Sequence, residues 1–322
     1  MQTNALGPLP AVSRLTLGGG GLGQLWGETS EAEAVATLRA ATDAGINLID
    51  TAPLYRNCEA VVAEAFQGRP PEGVRFTSKC RLGTPPPGEA EDRIQASLEA
   101  SLAAMRLPRV DVYFLHTNIC ADDYVYARRQ DQRDQFATAW SAYVGGVIPA
   151  MHRLKAEGRI GAWGITGIGV PSAIHDALTK APVPDVVQAI TNLLDSAGGI
   201  RNFSEPAAPR GIIAAAKAAG AGVMGIRAVQ AGALTSAIDR EVSPNNPDAQ
   251  DYERAAPFRA LCRELGEDPA VIAHRYALGM AGVDTVVLGV KNRQELEQCL
   301  AAERAGPLPP DLVTRIDGLG LR

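Results

Sequence analysis

The stretch Asn47-Leu48-Ile49-Asp50-Thr51-Ala52-Pro53-Leu54-Tyr55 decides the reading of the chain. Asn47 to Ile49 is a short apolar run of strand character, Asp50 ends it, Tyr55 follows five residues on, and Glu59 to Phe66 carries a helical pattern. Strand, loop with ionisable side chains, and helix make one βα unit, and the unit recurs on both sides. Upstream, Leu15 to Leu17 leads through glycines to Ser30 and Glu33, a capping-box signature ahead of an Ala-rich helix ending near Ala44 and Gly45. Downstream strand candidates are Arg75 to Ser78, Val110 to Leu115, Ile160 to Ile165, Val186 to Ala189, Val223 to Ile226 and Thr285 to Leu288. Helical patterns fill the gaps at Glu91 to Met105, Val147 to Glu157, Ala173 to Leu178, Gly211 to Ala219 and Glu295 to Ala302. This alternation predicts the α/β class, a parallel sheet closed as a (β/α)8 TIM barrel, with residues 1–322 forming a single domain. Such a barrel needs about 250 residues, so the surplus should lie in βα-loop insertions. These are placed at Ile119 to Gly146 and at Gly232 to Ala256.

Composition narrows the function. Hydrophobic residues make up 46% and charged residues 21%, the proportions of a folded globular chain. A net charge of −5 without a long Lys or Arg run gives no footprint for nucleic acid or an anionic membrane. Cys58, Cys80, Cys120, Cys262 and Cys299 are dispersed without CxxC pairs, as expected of reduced thiols in a cytoplasmic protein. No run of about 18 apolar residues and no apolar signal segment in Met1 to Leu17 are present, so neither membrane spanning nor secretion is expected. His152, His175 and His274 fall in helical segments away from Cys or carboxylate clusters and are read as structural, with no metal site expected. The sequence leaves oligomeric state open.

Asp50, Tyr55, Lys79 and His116 sit at or just beyond the ends of successive strands. Taken singly, each has an ordinary structural role open to it. In a parallel barrel, however, those ends face one mouth, where barrel enzymes assemble their chemistry.

On these residues the chain resembles the aldo-keto reductase superfamily, from about Leu15 to Ala302. The most specific piece is Asp50-Thr51-Ala52-Pro53-Leu54-Tyr55 followed by Glu59; Leu115-His116 and Gly158 to Ile165 add to it. The resemblance implies a carbonyl reductase with Tyr55 as proton donor and Asp50, Lys79 and His116 around it. The physics of those residue types agrees. A free tyrosine, with a pKa near 10, needs its phenolate stabilised, and the Lys79 ammonium is expected to lower that pKa. Asp50 would keep Lys79 charged, and a neutral His116 would donate to the carbonyl oxygen as charge develops on it.

Gly18, Gly20 and Gly23 also satisfy G-x-G-x-x-G, but the helix is expected only near Ser30, which leaves the Rossmann reading without a helix start for a pyrophosphate. By resemblance, cofactor contacts fall later: Gln188 to the nicotinamide carboxamide, and Gly289, Lys291, Asn292, Arg293, Glu295 and Gln298 to the adenosine phosphate. Lys291 and Arg293 would pair with a 2′-phosphate, favouring NADP(H) over NAD(H).

Three positions depart from the family pattern. Thr166-Gly167 replaces a Ser-Asn pair, Arg56 replaces the Gly after the tyrosine, and Arg227 stands near a lost aromatic, where it is expected to meet the pyrophosphate. Three functions therefore remain open: an NADP(H)-dependent reductase of small carbonyl compounds, an NAD-dependent aldose or secondary-alcohol dehydrogenase, and a slow redox-sensing regulatory subunit. Tyr124, Tyr126, Phe136, Trp140 and Tyr143 in the first insertion read either as an apolar wall for substrate or as part of a surface excursion packed on the barrel's outside or at a subunit contact.

Overall fold

The computed structural model describes residues 1–180 and 182–322. Twelve strands are present among the described residues: β1 (Thr3–Leu6), β2 (Leu9–Ser13), β3 (Leu15–Gly18), β4 (Leu48–Asp50), β5 (Arg75–Cys80), β6 (Val110–Leu115), β7 (Asn118–Cys120), β8 (Ala137–Ala139), β9 (Ile160–Gly167), β10 (Val186–Ile190), β11 (Gly222–Ile226) and β12 (Thr285–Leu288). Eight of them, β3-β4-β5-β6-β9-β10-β11-β12, close into a parallel barrel in that order. All eight expected strands are there, with ends shifted by a residue or two.

Closure depends on matching inner and outer faces. Leu48, Val112, Phe114, Ala162, Val186 and Met224 fill the interior, while residues such as Leu17, Ile49, Tyr113, Trp163 and Val187 pack outward against the helices. Gly164 has no side chain where a Cβ would collide with the Phe114 ring, so β9 passes beside that ring.

The antiparallel hairpin β1–β2 escapes the sequence reading because it is short and carries no strong periodicity. Leu6, Leu9 and Val12 pack into the interior cluster, and Gly7 turns with φ +54 against the main chain of Asp185 and Gly222. The hairpin thus forms a floor at the strands' N-terminal ends, opposite the C-terminal mouth.

The first insertion is better ordered than a plain loop. Strands β7 and β8 pair in parallel, and a π-helical turn at Tyr143–Val147 leads into the helix Ile148–Ala156. Thr84 Oγ1 donates to Ala137 O (2.8 Å) and Thr138 Oγ1 to Gly83 O (2.8 Å), which stitch the insertion to the loop after β5. Its aromatic residues mostly face one another. Tyr126 stacks edge-on against Tyr124 and Phe136, each pair 4.9 Å between ring centroids, and Tyr126, Phe136 and Tyr143 are buried. Most of the aromatic group is therefore used within the insertion itself, an arrangement that neither reading anticipates. The second insertion contains the helix Pro247–Arg254, capped by Asn246.

Candidate active site

Each candidate side chain is delivered by a strand end. Strand β4 ends at Asp50, and two consecutive turns follow, closed by Tyr55 N to Ala52 O (2.9 Å) and Cys58 N to Tyr55 O (3.1 Å). These turns set Tyr55 back over the mouth, partly exposed, and force Arg56 to φ +51, the left-handed region that a glycine would occupy without strain. Strand β5 alternates its faces: Thr77 and Lys79 point inward to Asp50, and Ser78 points outward to the buried Glu59.

Asp50 is the hub. Its carboxylate accepts from Lys79 Nζ (2.7 Å), Thr77 Oγ1 (2.7 Å) and Gln188 Nε2 (2.7 Å), the last reaching across from β10. Lys79 Nζ also donates to Thr51 O (2.9 Å) and lies 4.5 Å from the Tyr55 ring centroid. Burial alone would discharge this lysine, but Asp50 and then Tyr55 outweigh it and hold its pKa above the ordinary value. Removing one partner of such a buried pair costs about 3–5 kcal/mol, because the other charge is left uncompensated.

Tyr55 corrects one expectation. Burial pushes its phenol above the ordinary pKa, and Lys79 offsets this only in part. The His116 ring packs edge-on at 5.7 Å, and burial, then Lys79, then Arg81 hold its pKa well below the usual value, so the imidazole is neutral. His116 Nδ1 is buried with no hydrogen-bond partner. Glu59 accepts from Ser78 Oγ (2.8 Å), with its carboxyl pKa raised by burial.

The other candidates form an arc along β9 to β12. Thr166 gives its hydroxyl to Leu115 O (3.2 Å). Gln188 is tied to Asp50, in reach of the cluster. Arg227, with φ +60, is half-buried and donates to Asp248 (2.6 Å) and Gln230 (2.8 Å), which fastens the second insertion to the end of β11 instead of leaving the guanidinium free. Asn292 caps the helix Arg293–Arg304 by accepting from Glu295 N (2.9 Å). Lys291 pairs with Asp239 and with Glu295 (3.3 Å), Gly289 precedes this helix, and Gln298 lies exposed in its second turn.

Arg293 has an unexpected partner. Glu33 accepts from Arg293 N (3.0 Å), Nε (3.1 Å) and Nη2 (2.9 Å). The capping box is therefore half formed: Ser30 Oγ accepts from Glu33 N (3.1 Å), but the Glu33 carboxylate turns to the far loop. The glycines before it form a single short turn, Gly19–Leu22, a departure from the expectation of no helix before Ser30. Close approach explains them, since a Cβ at Gly18, Gly21 or Gly23 would run into the carbonyls of Leu288, Val290 or Tyr55.

Sequence reasoning missed Thr77, Thr51 and Arg81. Their signal was the period of two on β5 and the position directly after Asp50.

The family model described as Aldo/keto reductase family matches residues 14–320, and the chain belongs to that family of oxidoreductases, which use nicotinamide cofactors. Among curated relatives, L-galactose dehydrogenase of Arabidopsis thaliana is 26% identical, over 96% of this chain and 87% of its own length. D-threo-aldose 1-dehydrogenase of a Pseudomonas species is 28% identical, over 89% of this chain and 88% of its own length. A holo-form aldo-keto reductase from Bacillus halodurans superposes with a TM-score of 0.72 at 22% identity, covering 99% of this chain and 96% of that one, a likeness of fold.

Proposed function

We propose that this protein reduces aldehyde or ketone groups of small molecules to alcohols, with Tyr55 as the proton donor and NADP(H) as the preferred cofactor. The observation that carries this reading is the convergence of Asp50, Tyr55, Lys79 and His116 on one barrel mouth.

A proton donor must be loaded before the reaction, and the raised pKa of Tyr55 keeps the phenol protonated at neutral pH. Lys79 faces the ring and stabilises the phenolate left once the proton moves to the carbonyl oxygen. Neutral His116 offers an N–H to that oxygen, and Asp50 fixes Lys79 in place and in charge. A nicotinamide cofactor, when bound beside this cluster, would supply the hydride.

The residues present suit such a cofactor. Gln188 offers an amide beside the cluster, and the main-chain N–H groups of Lys291 and Arg293 already receive carboxylates, as a helix start would receive a phosphate. Lys291 and Arg293 are proposed to meet the 2′-phosphate, with Asn292, Glu295 and Gln298 framing the adenosine end, Gly289 leaving room for it, and Thr166 and Arg227 bordering the middle of the dinucleotide. One observation favours a second reading, an NAD-dependent aldose or secondary-alcohol dehydrogenase. Asp239, Glu295 and Glu33 crowd the two cations, and carboxylates accept from a ribose hydroxyl but repel a phosphate.

Single-turnover oxidation of bound NADPH and NADH by a carbonyl panel tests the proposal. Tyr55→Phe should lower turnover by roughly 10²–10⁴-fold while cofactor Kd moves by less than about threefold. Wild-type turnover in that variant overturns the role of Tyr55. Replacing Lys291 and Arg293 with Ala should narrow an NADPH preference by about tenfold or more. Tighter binding of NADH to the wild type replaces the first cofactor reading with the second.

A further inference from the structure

Strand β5 contributes two inward polar side chains, Thr77 and Lys79, both within 2.7 Å of the Asp50 carboxylate, while Phe76, Ser78 and Cys80 face outward. The next inward position in that row is Arg81. Strand-like backbone persists to this point, because His116 N donates to Cys80 O at 2.7 Å. Two residues along a strand advance the chain by about 6.6 Å, so Arg81 stands one layer further out than Lys79, at the rim beside His116.

Arg81 differs from Arg227, Lys291 and Arg293 in having no partner, a condition it shares with Arg56 on the turn after Tyr55; Arg81 alone of the two continues the inward row of Thr77 and Lys79. Its side chain is exposed, and among the described residues it takes part in no ion pair and no side-chain hydrogen bond. Arg227, Lys291 and Arg293 are all answered by carboxylates. The field of Arg81 nevertheless reaches inward, as the third influence, after burial and Lys79, that keeps the His116 ring neutral. Substituents of a carbonyl held by Tyr55 and His116 that extend to the β5 rim would meet this guanidinium. Neutral substituents gain little there, whereas a planar fork of N–H donors matches a carboxylate or phosphate.

We infer that Arg81 is a specificity-determining residue that holds an anionic group, carboxylate or phosphate, on the carbonyl substrate. The inference rests on the assignment of Tyr55 and His116 to the reacting carbonyl.

The test compares matched substrates with the holoenzyme: succinic semialdehyde against butanal for carboxylate, and glyceraldehyde 3-phosphate against glyceraldehyde for phosphate. In the wild type, kcat/KM is expected to favour the anionic member of at least one pair by about tenfold, and the favoured pair names the source of the charge. Arg81→Gln should remove most of that ratio, chiefly through KM, and Arg81→Lys should restore part of it. High salt should weaken the ratio in the wild type and leave it unmoved in Arg81→Gln. A ratio that stays within about twofold in Arg81→Gln, or no anionic preference in either wild-type pair, overturns the inference. Tyr55→Phe separates the two readings: if it leaves turnover of the neutral aldehydes intact, the carbonyl assignment has failed and Arg81 falls with it. Loss of turnover in Tyr55→Phe with no effect in Arg81→Gln overturns only the latter.

Discussion

The two halves of the barrel mouth handle charge in opposite ways. On the β4–β6 side, Lys79 and Asp50 are buried, and the carboxylate has three donors within 2.7 Å, all rooted in barrel strands. On the β9–β12 side, Lys291 and Arg293 meet Asp239 and Glu33, which come from a loop and from a surface helix. The first arrangement is built once, at folding, and suits a group whose geometry must not change during a reaction. The second is made of exposed pairs that exchange partners at little cost, which suits a surface that must admit and release a ligand.

The largest expected effect breaks the rigid half. Lys79→Met should cut turnover by about 10²–10⁴-fold and, by stranding Asp50, cost about 3–5 kcal/mol in stability, read as a lowered Tm and urea midpoint. Combining it with Asp50→Asn should recover much of the stability and none of the turnover. Equal stability in the single and double variants would show that the pair is not a unit.

A smaller effect follows from protonation. His116 and His274 are held below their ordinary pKa by burial, so they remain neutral in the fold, while the unfolded chain takes up protons below about pH 6.5. Stability attached to them is complete above that pH and declines as pH falls, by at most about 1.4 kcal/mol per pH unit for each group. Denaturant titrations from pH 7.5 to 5 should show this loss, and His274→Asn should flatten it.

In the exchangeable half, Glu33→Gln should release Arg293 and raise NADPH affinity relative to NADH by a few fold, measured by fluorescence titration. No change would mean that Arg293 does not meet the ribose phosphate. The smallest effect belongs to Arg56→Gly, where relief of a left-handed conformation is offset by the freedom glycine adds to the unfolded chain. The net change in unfolding free energy should be below about 1 kcal/mol.

The same contrast explains what could be read from the sequence. Strand ends and their side chains were legible because the βα repeat fixes which residues reach the mouth, which places Asp50, Lys79 and His116, while Tyr55, five residues past its strand, drew its role from the resemblance carried by Asp50 to Tyr55. Partners across long sequence separations were not. Nothing local announces that Glu33 turns from its own helix to Arg293, or that Arg227 is claimed by Asp248. The pKa of Tyr55 was misjudged for a related reason: the lysine was visible, but the burial that outweighs it is a property of the assembled mouth. The β1–β2 hairpin was missed because short strands with one buried face resemble loops.

That hairpin is the base of a column. Leu6, Leu9 and Val12 continue the packed interior of Leu48, Val112, Phe114 and Met224, so the floor of the mouth rests on filled volume, and a strand end can sink only by displacing the side chains stacked beneath it.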